Sequence, residues 1–216
     1  MKILNLYCGI GGNRKLWGNE HEITAIEINP QIAKIYQDFF PKDKVIVGDA
    51  HQYLLEHFSE FDFIWSSPPC PTHSRIRKNI SVPRGQAKPS FPSMILYEEI
   101  LFLQGYFKGK WVVENVISWY KPLIQPQKID RHFYWANFKI PNISLGGDNI
   151  RMGKIKDWEN RFGLSLDGYK GITKKLLLRN CVNPLMGQHI LTNSYPIGYN
   201  QATEDIKEGY RDGIKG

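Results

Sequence analysis

Five short apolar runs, residues 2–7, 23–27, 45–47, 61–65 and 111–113, are separated by segments long enough for helices. Strands that alternate with helices call for a mainly parallel sheet, because parallel neighbours need a crossover connection between them. In such a sheet ligands bind outside the carboxyl ends of the strands. Those ends carry the chemistry here: the runs lead into Cys8-Gly9, Glu27, Gly48-Asp49, Ser67-Pro68-Pro69-Cys70 and Glu114-Asn115-Val116.

The first run opens into Cys8-Gly9-Ile10-Gly11-Gly12. Glycines permit positive φ and let the backbone approach a ligand, and the next helix offers unpaired N–H groups at its start. The second run ends in Glu27, at about the spacing where a carboxylate meets ribose hydroxyls in nucleotide-binding folds. Cys70 and Glu114 then offer a thiol and a carboxylic acid from the ends of two strands. A nucleophile and an acid at one site point to covalent chemistry on an electron-poor ring.

Taken in order, these motifs resemble the C5-cytosine DNA methyltransferase family. Leu6-Tyr-Cys-Gly-Ile-Gly-Gly12 is similar to its first motif, Pro68-Pro69-Cys70 to its catalytic motif and Glu114-Asn115-Val116 to its Glu-Asn-Val motif. Arg179-Asn-Cys-Val-Asn-Pro184 resembles its last motif, with Arg179 where the family has glycine. The resemblance implies a Rossmann-like S-adenosylmethionine-dependent methyltransferase fold, α/β with helices on both faces of a mainly parallel sheet. It implies methyl transfer to cytosine C5 in double-stranded DNA through a Cys70 adduct on a flipped base, with S-adenosylhomocysteine as product. Glu114 would assist as the acid, Asn115 would orient it or hold the loop, and Arg131 would bond the base. The cofactor would lie against Tyr7, Gly9, Ile10, Gly11, Gly12, Glu27, Ile28, Asp49, Ala50, Pro68, Asn180 and Val182.

Two other readings share these motifs: a tRNA cytosine-5 methyltransferase, and a catalytically silent subunit that binds S-adenosylmethionine or DNA. The first is disfavoured by the lack of a Cys-Phe-Thr tripeptide. The second has no use for both Cys70 and Glu114. An amino-methylating enzyme would carry an aromatic residue after its Pro-Pro pair, where this chain has Cys70.

The chain of 216 residues suits one catalytic domain, 1–216. With 28 Lys and Arg against 21 Asp and Glu it carries a net charge of +7, compatible with a polyanionic partner. The charge concentrates after the nucleophile, where Arg75, Arg77, Lys78, Arg84 and Lys88 occur with no acid between Pro71 and Pro92. Together with Ser74 they form the expected phosphate-gripping loop. Three cysteines without paired spacing or a histidine cluster predict reduced thiols and no metal site. No stretch is long and apolar enough for a membrane span and no signal-peptide pattern precedes the first strand, so a soluble, cytoplasmic protein is expected.

Pro30 at a first helical turn, followed by Ile32, Ile35, Tyr36 and Phe39, predicts a helix that ends at Pro41. Short helices are expected over 13–18 and 53–58, a long one from about 92 to 105, and a strand over 131–138. Residues 141–170 form a reduced target-recognition segment, too short for a domain of its own, which leaves room for a second copy or a separate specificity protein. A compact bacterial, phage or restriction-modification enzyme would have this look. The tail from 203 to 216 reads as a fraying helix.

Overall fold

The computed structural model describes residues 1–145 and 154–195. The expected tail helix lies outside them.

Seven strands form one sheet in the order β3-β2-β1-β4-β5-β7-β6. The strands are β1 (Lys2–Leu6), β2 (Glu22–Glu27), β3 (Lys44–Val47), β4 (Phe63–Ser66), β5 (Lys110–Val116), β6 (Gln127–Ile129) and β7 (His132–Ala136). The first five are mutually parallel; β7 runs antiparallel to both β5 and β6. From β1 the chain first builds outward through β2 and β3, then returns to lay β4 on the other flank of β1. That reversal opens a crevice at the carboxyl ends of β1 and β4.

Alternate residues of the central strands face opposite sides, and both sides are covered. Leu4, Leu6, Ile64 and Val113 pack with Leu54 of α2 (Ala50–His57) and with Leu96, Ile100 and Leu103 of α3 (Ile95–Tyr106). Ile3, Phe63, Trp65 and Val112 pack instead with Met186, Ile190 and Leu191 of α6 (Pro184–Asn193). A third cluster joins Ile35 and Tyr36 of α1 (Pro30–Phe39) to Trp158 and Phe162 of α4 (Ile155–Phe162) and Leu178 of α5 (Lys174–Asn180).

Local chemistry accounts for the element boundaries. Asn29 caps α1 by accepting from the amides of Gln31 and Ile32, with Pro30 in the first turn. Residues 13–16 form a single 3₁₀ turn, and α3 begins at Ile95, three residues after the proline from which the sequence predicts it. The turn holds Arg14, whose guanidinium lies buried against Asp43 at 2.8 Å. The described end of segment 141–170 contributes to the core, since Trp158, Phe162, Leu164 and Leu166 are all buried. A short segment expected to be recognition surface is thus in part structural wall. Among the described residues no helix is long and apolar enough to cross a membrane, and no cluster of His, Cys, Asp and Glu is arranged to hold a metal.

Candidate active site

The glycine loop is strained where it leaves β1. Tyr7 has φ +53°, uncommon outside glycine, and Gly9 has φ +53° with open space where a Cβ would stand. Glu27 braces this loop: one carboxylate oxygen accepts from the Gly9 amide at 3.1 Å and the other from the Asn29 amide at 2.9 Å. Ile28 beside it is 68% exposed, an apolar side chain at the rim of the crevice. An open backbone cradle, a carboxylate at a strand end and an exposed aliphatic neighbour fit a nucleoside-bearing ligand.

Other residues assigned to the cofactor by resemblance have structural duties that the sequence did not show. Ile10 is buried with Tyr36 and Phe40, so its side chain is core. Ala50 and Pro68 are also buried. Asp49 caps α2 by accepting from the Gln52 amide at 3.0 Å. A Cβ on Gly11 would strike Tyr36 and Phe40. On Gly12 it would collide with Cys181 Sγ and the Val182 carbonyl, so Gly12 lets the residues before α6 close onto the loop. Gly12→Ala is therefore expected to destabilise the fold by about 1–3 kcal/mol, read from a urea melt, because a backbone carbonyl cannot rotate away.

Beneath the loop lies a polar cluster that sequence reading missed. Glu99, fully buried in α3, accepts from Tyr7 Oη at 2.6 Å and Ser66 Oγ at 2.5 Å, and its carboxylate is 3.2 Å from His51 Nδ1. The hydrogen bond to Glu99 raises the His51 pKa, and burial pushes the Tyr7 hydroxyl well above the phenol range. One carboxylate thus ties the glycine loop to the end of β4, the strand that leads to Cys70. An acid on an apolar helix gave no sequence signal because its partners come from three other segments.

Cys70 follows β4 in a turn where its carbonyl accepts from the amides of His73 and Ser74. The adjoining Pro68 carbonyl accepts from Asn115 Nδ2 at 2.9 Å. Asn115 is 1% exposed, and it holds β5 to the loop bearing the thiol. Cys70 lines a cleft of about 320 Å³ together with Ser74, Arg75, Arg131, His132, Arg179, Asn180 and Val182 among others. Arg131 reaches it because β7 is antiparallel: Val116, at the carboxyl end of β5, pairs with His132 at the start of β7. The same register sets His132 Nε2 3.6 Å from Glu114 Oε1. His132 is the acid's immediate neighbour.

Burial first, and the charge of Glu114 second, push the Cys70 thiol up to about 11. Arg75 and Arg77 are the arginines nearest to Cys70 in sequence. Both are engaged elsewhere, Arg75 Nε with the Ser118 carbonyl at 2.9 Å and Arg77 Nη2 with the Lys88 carbonyl at 3.0 Å. The cation that does oppose the rise is Arg179.

The basic loop is a built element. Ser93 N donates to Thr72 Oγ1 at 2.9 Å, closing its base, and residues 77–81 form a π-helical turn. Lys78 lies over the Trp119 ring at 4.5 Å. Arg84 and Lys88 are exposed. Lys78, Arg84, Lys88 and Arg77 do not line the Cys70 cleft, whereas Ser74 and Arg75 do.

Comparison with known proteins finds a family match over the first half of the chain. The family described as C-5 cytosine-specific DNA methylase matches residues 1–101. A mutant of DNMT2 from Spodoptera frugiperda is 28% identical over 53% of this chain and 35% of its own, with a TM-score of 0.37. A TehB-like SAM-dependent methyltransferase from Corynebacterium glutamicum is 19% identical over 55% and 58%, with a TM-score of 0.34. A SAM-dependent methyltransferase from Agrobacterium tumefaciens is 13% identical over 54% and 38%, with a TM-score of 0.38. No curated protein matches the chain.

Proposed function

We propose, taking the match of residues 1–101 to the C-5 cytosine-specific DNA methylases as the premise, that this chain methylates C5 of cytosine in double-stranded DNA. One observation carries the reading: a single cleft gathers Cys70 and Arg131, with Glu114 reaching it through His132. The cofactor that the family implies is S-adenosylmethionine, which supplies the methyl group when bound. Gly9, Glu27 and Ile28 are the residues that would hold it, with Asp49 at the end of β3.

Cytosine C5 is a poor nucleophile until something adds at C6. In this reading the Cys70 thiolate forms the S–C6 bond and the displaced electron pair moves toward C5 and N3. Glu114 holds a proton at N3 and offsets the negative charge there. His132, 3.6 Å from Glu114, is placed to share that proton. Arg131 lines the same cleft and would meet the base oxygen. Once C5 is methylated, loss of the C5 proton expels the Cys70 sulfur and restores the ring. A stacked base is out of reach of a thiol in a cleft, so the base must leave the duplex. The exposed cations Arg84 and Lys88 are suited to the phosphates of the distorted strand. Recognition of sequence falls to the basic loop and the surface of segment 141–170.

Glu114→Gln keeps the size of the side chain and removes its proton. It is expected to lower kcat by about 10²- to 10⁴-fold while DNA affinity changes little. The reading itself is tested by nucleoside mass spectrometry of DNA and tRNA from a methylation-free host that expresses the chain. Extra 5-methylcytosine in DNA supports it. A gain confined to tRNA would replace DNA with RNA as substrate, and no gain in either from folded protein would overturn it.

A further inference from the structure

Arg179 lies near the end of α5, at the position where the resembled motif has a glycine. A glycine there has no side chain to send anywhere, whereas an arginine brings a permanent charge. This one lines the Cys70 cleft, is exposed, and among the described residues makes no hydrogen bond or ion pair.

We propose that Arg179 is the positioning residue that favours the thiolate of Cys70, readying this sulfur for addition to an electron-poor base. The inference rests on Cys70 being the nucleophile of the proposed reaction.

The charged groups around Cys70 come from every side of the cleft. Glu114 on β5 disfavours a second negative charge, and His132 Nε2 on β7 lies 3.6 Å from that acid. Asp130 and Arg131 enter from the β6–β7 turn, and Arg161 enters from α4 with a bond to the Leu145 carbonyl. Arg75 on the basic loop is held by Ser118. Of the four arginines that line this cleft, Arg75, Arg131 and Arg161 have partners, whereas Arg179 makes no hydrogen bond or ion pair among the described residues, and its charge opposes the effect of burial and Glu114 on the thiol. A thiol so deeply disfavoured as an anion has most to gain from one cation free to approach.

The test measures alkylation of Cys70 by iodoacetamide in the full chain between pH 7 and 11, with mass spectrometry of the Cys70 peptide. Alkylation forms an S–C bond from the thiolate and expels iodide, so its rate reads the ionised fraction without calling on methyl transfer. Arg179→Ala is expected to slow alkylation about three- to tenfold at a fixed pH below 10 and to displace the profile toward alkali. Arg179→Lys should recover most of that loss. Cys8, buried and 7% exposed, reports on the fold by remaining unreactive throughout.

A wild-type profile in Arg179→Ala would overturn the proposal. So would an equal loss in Arg179→Ala and Arg179→Lys, since that would separate the effect from this charge. Should the profile shift as expected in a chain that methylates no nucleic acid, the reading of function fails while the electrostatic role stands.

Discussion

Cys70→Ala is expected to abolish methyl transfer, with 5-methylcytosine in DNA at the level of the empty host by nucleoside mass spectrometry. The loss should exceed the 10²- to 10⁴-fold expected for Glu114→Gln, because the acid assists a step that the sulfur itself begins. Binding of DNA should survive, since the exposed cations of the basic loop are untouched. The wild type should also form a covalent complex with 5-fluorocytosine DNA when cofactor is present, and the alanine variant should not. The pH dependence has a definite sign. With the thiol at about 11, fewer than about one molecule in a thousand is ionised at neutral pH in the free protein. Its alkylation should therefore climb about tenfold per pH unit until close to 11. Full activity of Cys70→Ala would remove the covalent mechanism altogether.

Asp43→Ala is expected to cost about 3–5 kcal/mol of stability, the largest effect of any substitution remote from the cleft. Asp43 meets Arg14 at both oxygens, 2.8 and 3.1 Å, and also accepts from Tyr36 Oη at 2.9 Å. The two charged side chains are 4% and 2% exposed. Removing the carboxylate strands the guanidinium among apolar groups, with the Gly18 carbonyl at 2.8 Å and the face of Phe40 at 5.1 Å as its remaining company. A domain of this size should lose roughly 6–20 °C in Tm. Asp43→Asn keeps two hydrogen bonds within reach and should cost less. A melt of Asp43→Ala within about 1 kcal/mol of wild type would mean that water enters the site to solvate Arg14.

The legible parts of the sequence were those in which a short run carries its own meaning. Each of the five parallel strands was announced by an apolar run with a candidate site residue at or just past its end, and Pro30 and Pro41 bracket α1. What could not be read depends on chain reversal or on partners distant in sequence. The antiparallel turn of β7 carries Arg131 to Cys70, and no periodicity within 131–138 reports strand direction. Glu99 looks like one polar residue on an apolar helix until Tyr7, His51 and Ser66 converge on it. Helices α4, α5 and α6 are short, and their apolar residues become informative only once α1 and β1 supply the surfaces they cover. Arg75 and Arg77, nearest to Cys70 in sequence, are tied to carbonyls, while Arg179 comes from more than a hundred residues later.

The indole of Trp17 donates to the carbonyl of Gly187 at 3.1 Å, across a separation of 170 residues. At ribosomal speeds of about 5–20 residues per second, Gly187 emerges on the order of ten seconds after residue 101. Through most of that interval the nascent chain holds its glycine loop, Cys70 and β5, yet lacks α6 to cover Phe63 and Trp65. An uncovered apolar sheet face is a substrate for chaperones and prone to aggregation. Truncation before α6 should therefore yield inclusion bodies rather than a smaller working module.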